Sequence, residues 1–504
     1  MHKGWRAQVA YPLYAMARRL DHNYFDRPRD PFGLFGRNNG MTKTIPARSI
    51  SREPSGPMQS IAVIGAGISG LAAAWLLSKK HDVTLFESAD RLGGHANTVR
   101  VAIDGQSVDV DTGFIVYNEQ NYPNLTSLFS HLNVETAQSD MSFAVSLGEG
   151  QLEYSSNDLL SFLGNGRNLF RRRFWQMSAD LVRFYRQASR EMDWLKDAEH
   201  VTLGDYLDRN GYSHAFQFDH LLPEAAAIWS SSVKQMRDYP ACAFVRFFDN
   251  HGLLKLRDRP RWRTVSGGSR SYVSTIAKAM RGGQILCGDP VCGVRPVAGG
   301  VAVRTRSGAT RQFDKVLIAA HSDEALAMLD CADSAQRAVL ASIPYRSNKA
   351  VLHTDPALMP RRRATWASWN YVGHGAASDG CAVSYWMNRL QGLETPRPLF
   401  VTLNPERKPD PDQVLWEGSY DHPAFTPAAL SAQRELWALQ GRGNIWFAGA
   451  WLGAGFHEDG LQAGLAAAEE MGGVRRPWIV PDESGRLHLP SRADVPRRDA
   501  ALVA

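Results

Sequence analysis

The chain has 504 residues, 44% of them hydrophobic and 21% charged, with a formal net charge of +6. This length can bury more than one core, and the composition is that of an ordinary globular protein. The charge is concentrated at the start: residues 1–57 carry a net +6 from ten Lys/Arg and four Asp/Glu, so the rest is formally neutral and a nucleic-acid-binding body is not expected.

In chain order, residues 1–57 come first and lack the apolar core of a secretory signal. Their first 20 residues are basic and free of acids, as transit peptides are, but Asp21, Asp26, Asp30 and Pro- and Gly-rich sequence follow. The segment reads as a poorly ordered extension with Met58 as the natural start, and a membrane-surface role is the lesser alternative. Ile61–Ile64 then has the continuous apolar character of a buried parallel strand. It runs into Gly65-Ala66-Gly67-Ile68-Ser69-Gly70, an Ala/Leu helix pattern, and a second apolar run, Val83–Phe86, that ends at Glu87. This β-α-β pattern with G-x-G-x-x-G is a dinucleotide-binding signature. Its glycines allow a tight turn, close approach of pyrophosphate and close helix–strand contact, while the helix N-terminus attracts the phosphates. Glu87 is expected to accept from ribose hydroxyls and to repel a 2′-phosphate, which disfavours NADP.

Ser88, Arg91, Gly93-Gly94 and His95 follow, and a Gly-Gly pair there lets backbone pass close to a second phosphate or a flavin. Val99–Ile103 and Ser107–Val110 alternate around Asp104-Gly105, a hairpin signal, and lead to Asp111-Thr112-Gly113-Phe114. Residues 167–194 interleave arginines with aromatics and leucine and predict an amphipathic helix, with a solvated face as the favoured reading and a membrane surface as the other. Trp229, Trp366, Trp369, Tyr371, Tyr385 and Trp386 could line a tunnel for an apolar chain or simply fill cores. Cys292–Val294, Val301–Thr305 and Val316–Ala319 read as strands, and His321-Ser322-Asp323 as a helix start capped by Ser or Asp. Cys242, Cys287, Cys292, Cys331 and Cys381 form no C-x-x-C pair and read as buried, reduced thiols in a reducing, cytoplasmic compartment, without a metal site. No apolar run has spanning length. Residues 476–504 lose periodicity and read as an exposed tail.

The spacing E-x-x-x-R-x-G-G after G-x-G-x-x-G, joined to Ile445-Trp446-Phe447-Ala448-Gly449-Ala450 and Gly455-Phe456-His457-Glu458-Asp459-Gly460-Leu461-Gln462-Ala463-Gly464, resembles the flavin amine oxidase, phytoene desaturase and protoporphyrinogen oxidase superfamily. More closely, GFIVYNEQNYPNL (113–125), AIWSSS (227–232), WRTVSGGS (262–269), YRSNKAVLHTD (345–355) and GFHEDGLQAG (455–464) resemble a bacterial subgroup of predicted NAD/FAD-binding proteins. That subgroup is similar to the flavoprotein module of plant cyclopropane fatty acid synthases and includes a furan-fatty-acid desaturase. The resemblance implies non-covalent FAD, held by Gly65, Gly67, Ile68, Ser69, Gly70, Glu87, Ser88, Arg91, Gly93, Gly94, His95, Gly113, Val291, Gly449, Ala450, Gly460 and Leu461. It also implies that Lys349 is a catalytic residue that holds a water at flavin N5; an exposed or salt-bridged strand lysine is the other reading. His457 near the flavin is a minority proton-donor candidate, and Asp459 reads better as a helix cap.

The sequence departs from the superfamily at His95 (usually Arg), at Ala450 (often an acid) and at Phe456, where amine oxidases place a cage tyrosine. The implied fold is α/β: a Rossmann-like FAD-binding domain (58–115, 262–325, 440–475) interleaved with a mixed α+β substrate domain (116–261, 326–439), amine-oxidase-like. The implied function is hydride transfer from a C–H bond of an apolar, lipid-like chain to FAD. The alternatives are an amine oxidase and a non-catalytic flavoprotein partner of a lipid methyltransferase. Location is expected to be cytoplasmic, with peripheral membrane contact as an option.

Overall fold

The computed structural model describes residues 57–490, apart from 165, 199, 256–259 and 374–381. The basic extension, Cys381 and the last 14 residues lie outside the described residues. From Met58 onward the chain is one compact unit.

Its first layer is a parallel sheet. Strand β1 (Ser60–Ile64) is central, flanked on one side by β2 (Asp82–Glu87) and then β3 (Gln284–Cys287), and on the other by β4 (Lys315–Ile318) and then β5 (Ile445–Phe447). Ile61, Ala62 and Val63 are fully buried because the helix Ile68–Leu77 packs on the sheet and so does a three-stranded antiparallel sheet, Val291–Val297, Gly300–Thr305 and Thr310–Phe313, which is why this strand is a continuous apolar run. Helix α1 (Ile68–Leu77) is buried over its whole length. It packs against the helix Ser269–Lys278 and against α2 (His457–Gly472). The contact with α2 is unusually close: a Cβ at Gly464 would stand 2.1 Å from the Ser69 carbonyl oxygen, and one at Gly472 would stand 2.3 Å from Leu77. Glycine at these two positions sets the spacing of the helices.

The second layer is a seven-stranded mixed sheet. Its order is Val414–Pro423, Tyr345–His353, Phe400–Leu403, Ala382–Trp386, Trp369–Gly373, Phe143–Leu147, Leu152–Ser155. A helical layer drawn from residues 159–250 shares a core with it through Phe174, Phe184, Phe216, Phe244 and Phe248. The predicted hairpin forms as Thr98–Ile103 with Gln106–Asp111, turning at Asp104 (φ 49°) and Gly105 (φ 84°). A small antiparallel sheet joins the layers: Trp262–Val265 pairs with both Val116–Asn118 and Thr136–Gln138.

Three expectations need correction. The segment after α2 is not an exposed tail as far as Pro490. Arg476 is 2% exposed and donates to Glu469 (2.7 Å) and Asn124 (2.9 Å), while Trp478 stacks on Trp75 at 5.9 Å. Buried carboxylates on and beside α2 require cations, and this segment supplies them. The helix Ser322–Met328 is capped at His321, whose N–H donates to Glu324 (3.0 Å), and not by Ser322 or Asp323. Of the described cysteines, Cys242 is buried, but Cys287 and Cys331 are exposed.

Because the α1–α2 spacing leaves no room for a methyl group, Gly464→Ala should lower the unfolding free energy by about 1–3 kcal/mol. A denaturation midpoint equal to that of the native chain would show that the helices do not meet at Ser69.

Candidate active site

The G-x-G-x-x-G turn combines two kinds of glycine. Gly65 has φ +100°, and a Cβ there would lie 2.6 Å from the Ala319 carbonyl oxygen. A Cβ at Gly70 would lie 1.8 Å from the Gly65 oxygen. Both are required by the protein itself. Gly67 is different: it has ordinary dihedrals (φ −69°, ψ −178°) as the N-cap of α1, and a Cβ there would meet nothing within 4 Å. The space at this helix end is open, as a phosphate-binding turn needs.

Around that space the chain returns twice. Gly93 donates its N–H to the Ala66 carbonyl (2.8 Å), and a Cβ at Gly94 would come 3.2 Å from the Gly67 Cα. Gly93 and Gly94 have φ of 111° and 55°, so this approach depends on glycine. Arg91 lies at the exposed rim and donates to the Gly94 carbonyl (2.9 Å). Glu87 ties the turn together, accepting from the N–H groups of Ala66 (2.7 Å) and Ala89 (2.9 Å) and from the Ser88 hydroxyl (3.2 Å). Val291, half-buried, opens the strand Val291–Val297 beyond β3.

The far end of the chain closes the same site. A Cβ at Gly460 would lie 2.9 Å from Ser69 Oγ and 3.0 Å from Ile68 Cγ2, so the N-termini of α1 and α2 converge. Two sets of unpaired N–H groups and two positive dipole ends therefore point at one region. Gly449 and Ala450 lie beside it, Gly449 packed on the Trp451 ring; Leu461 is fully buried in the core beneath. Asp459 reaches back from the third helical position to accept the Phe456 N–H (2.7 Å). It also accepts from Arg486 (3.3 Å). Glu458 is fully buried and accepts from the N–H groups of Asn124 (3.1 Å) and Leu125 (3.0 Å), capping the neighbouring helix Pro123–His131. Burial raises its pKa above the usual carboxylate value, with Arg486 opposing.

Residues nominated from the sequence, His95, Gly113 and His457, meet here with others that carry no motif, Phe247 and His251 among them. Asp111, raised to about 6 by burial, accepts from Thr98 Oγ1 (2.6 Å) and the Ser269 N–H (2.8 Å), holding the hairpin to a helix start. Gly113 packs on the His95 carbonyl. The His95 ring lies 5.2 Å from Tyr420, 5.3 Å from His422 and 6.0 Å from His321, and its buried Nε2 has no hydrogen-bond partner. Burial, then the neighbouring imidazoles, push its pKa down to about 3. His457, also held at about 3 by burial, stacks on Phe114 at 3.8 Å and bonds Tyr272 Oη through Nε2 (2.5 Å). Phe456 stacks on Phe247 at 4.7 Å, with Trp229 on its other side at 4.6 Å from Phe247. His251 lies on the Phe247 ring at 3.8 Å and 5.7 Å from Phe456.

A family of flavin-containing amine oxidoreductases matches residues 68–392. The chain belongs to this family. Membership makes it an FAD-dependent oxidoreductase, and the open cradle at Gly67, the paired helix ends and the orphaned His95 Nε2 fit that cofactor. An L-amino-acid oxidase from Notechis scutatus scutatus is 42% identical over 65 residues, which is 13% of this chain and 12% of that relative, so the chain matches only a small part of its length. Among solved structures, cyclohexylamine oxidase from Brevibacterium oxydans superposes with a TM-score of 0.60 at 17% identity, covering 83% of this chain and 99% of that one. A conjugated-linoleic-acid-producing fatty acid isomerase from P. acnes superposes with a TM-score of 0.58 at 15% identity, covering 81% and 97%. These likenesses concern the fold.

Lys349 takes the second of its two readings, an exposed, salt-bridged strand lysine. Lys349 is 54% exposed and pairs with Glu417 at 3.0 Å. Strand alternation is the reason: Asn348 is the residue turned inward, 2% exposed, bonding Asn404 (2.7 Å) and His422 Nδ1 (3.1 Å). The proposed tunnel aromatics also disperse. Trp366 and Trp386 pack with Phe400 in a separate small core, Trp369, Tyr371 and Tyr385 belong to the core shared by the seven-stranded sheet and the helical layer, and Trp229 alone of the six touches Phe247.

Two outcomes follow from this geometry. Gly67→Val should purify colourless and melt with the midpoint of the flavin-free native chain, because its side chain enters only the ligand's space. A yellow variant with full flavin content would remove the cradle from Gly67. His95, His251 and His457 have folded pKa values near 3, below the ordinary 6.5. Their neutral burial gives stability that is complete above about pH 6.5 and is lost as pH falls toward 3, at up to about 1.4 kcal/mol per group per pH unit. Melting between about pH 6.5 and 5 should show this loss, and His251→Phe should flatten it by one group's share.

Proposed function

We propose that this flavoenzyme takes a hydride from a C–H bond of an apolar acyl chain and leaves a carbon–carbon double bond. The FAD is held by the Gly65–Gly70 turn, Glu87, Gly93-Gly94 and the start of α2, and when bound it supplies the hydride acceptor. The observation that carries the reading is the Phe456–Phe247 ring stack at the N-terminus of α2, with Trp229 tilted against Phe247, in the place where amine oxidases keep a cage tyrosine.

The carboxylates that could pair an ammonium group are occupied there. Glu458 caps a helix, and Asp459 binds the Phe456 N–H and Arg486. The side chains beside the start of α2 therefore offer rings and no free carboxylate, which suits a hydrocarbon. His251 supplies one polar atom. Its Nδ1 lies 2.9 Å from the Phe247 carbonyl and so carries the proton, which leaves Nε2, buried and without a partner, as an acceptor. Loss of a hydride from one carbon requires loss of a proton from its neighbour, and His251 Nε2 is our candidate to receive it. The isomerase from P. acnes, named for a fatty acid, shares the fold and supports an acyl chain as a substrate class for it.

The test is anaerobic bleaching of the bound flavin. Branched or unsaturated acyl lipids should bleach it, and primary amines and amino acids should not. Bleaching by amines alone would overturn the reading in favour of an amine oxidase. Bleaching by neither, with acyl composition of cellular lipids unchanged by the protein, would favour a non-catalytic partner of a lipid methyltransferase.

A further inference from the structure

Four of the nine large apolar side chains exposed among the described residues fall within twelve positions: Leu159, Leu160, Leu169 and Phe170, the last 92% exposed. They sit on the short helix Leu159–Phe162 and the turn Arg167–Phe170. The two are held side by side. Gly166 and Asn168 both donate their N–H to the Leu163 carbonyl (3.1 Å each), and the buried Asn168 amide pins the turn to the Glu153 carbonyl (3.0 Å). Beneath them Phe162 packs on Phe174 at 5.1 Å. The segment is thus anchored from below while its outer apolar side chains have no cover.

Cations surround it. Arg167, Arg171 and Arg172 are exposed and in no ion pair among the described residues, whereas Arg173 is paired with Asp219 (2.6 Å). Arg363 is exposed on a turn that packs against the Leu159–Phe162 helix. The adjacent acid, Asp158, is engaged in capping that helix through the Ser161 N–H (2.7 Å). The long amphipathic helix Arg172–Asp197 is not the free apolar surface. Phe174, Met177, Leu181 and Phe184 already face the core, which is the solvated-face reading of this helix.

We propose that this face docks the protein on an anionic bilayer, with Leu160 and Phe170 inserted at the headgroup–acyl boundary and Arg167, Arg171 and Arg172 on lipid phosphates. Protruding single side chains ringed by guanidinium groups suit a soft, negatively charged surface. A second copy of the same face would bring like charges together. No described helix is long and apolar enough to cross a membrane, so the contact is peripheral. The proposal is independent of which substrate is oxidised.

The test is co-sedimentation of the flavin-loaded full chain with vesicles of phosphatidylcholine alone or mixed with phosphatidylglycerol. Binding is expected to the mixed vesicles only and to weaken with salt. The double variants Leu160→Ser/Phe170→Ser and Arg171→Glu/Arg172→Glu should each reduce it roughly tenfold or more, with flavin spectrum and melting midpoint unchanged. Because residues 1–57 carry a net +6, binding that survives both double variants would assign it to that extension and overturn the proposal. Absence of binding by the native chain would also overturn it, as would a concentration-dependent dimer abolished by Leu160→Ser/Phe170→Ser in its place.

Discussion

The close crossing of α1 and α2 at Ser69 is the constraint on which the rest of the site depends. Gly464 lets the second helix lie directly on the Ser69 backbone, and Gly460 makes room for the Ser69 and Ile68 side chains one turn earlier. Only at that distance can two helix N-termini share one region, and only there do their unpaired N–H groups act together on an anionic, electron-rich ligand. Gly93 and Gly94 pack on the same turn from a third direction. Segments far apart in sequence are thereby committed to a single small volume.

That arrangement imposes an electrostatic condition on its neighbours. Acids close to two positive helix ends would compete with the ligand for them, and here they are engaged elsewhere. Glu87 is bound by amides of its own turn, Glu458 caps a different helix, Asp111 holds the hairpin to Ser269, and Asp459 is shared between the Phe456 N–H and Arg486. The remaining polar groups, His95, His251, His422 and His457, are held neutral by burial. A region made from neutral imidazoles and aromatic rings carries no free carboxylate, and the proposed apolar substrate rests on that lack of fixed negative charge.

The substrate-side layer presents apolar chemistry twice. Inside, Phe247 and Trp229 meet Phe456 at the head of α2; outside, Leu159, Leu160, Leu169 and Phe170 stand exposed among arginines. Both belong to the helical region of residues 159–250, which shares its core with the seven-stranded sheet. The two proposals, an apolar substrate and a lipid surface, thus rest on separate residues of this region.

The cofactor half of the molecule was legible because its determinants are local. A buried parallel strand, a turn that must be Gly at Gly65 and Gly70, an acid at the strand tip and the Phe447-Ala448-Gly449 strand end each declare themselves within a few residues. The substrate half was not, because period-two alternation decides which face a strand residue takes, and a one-residue shift inverts the answer. Local pattern leaves Lys349 either at the site or exposed, and the structure turns Asn348 inward and Lys349 out to Glu417. The aromatics of the second layer had the right composition for a tunnel, but which of them meet depends on how strands and helices pack, and Phe247 and His251 carry no motif at all. The segment after α2 looked like a tail because a lone Arg gives no local signal; its role arises from carboxylates buried in other elements. Sequence alone determined the family, the cofactor and the turn that receives it, since each follows from short-range backbone requirements. Tertiary structure decided which side chains of the second layer turn inward and which face the surroundings, since those depend on contacts between elements distant along the chain.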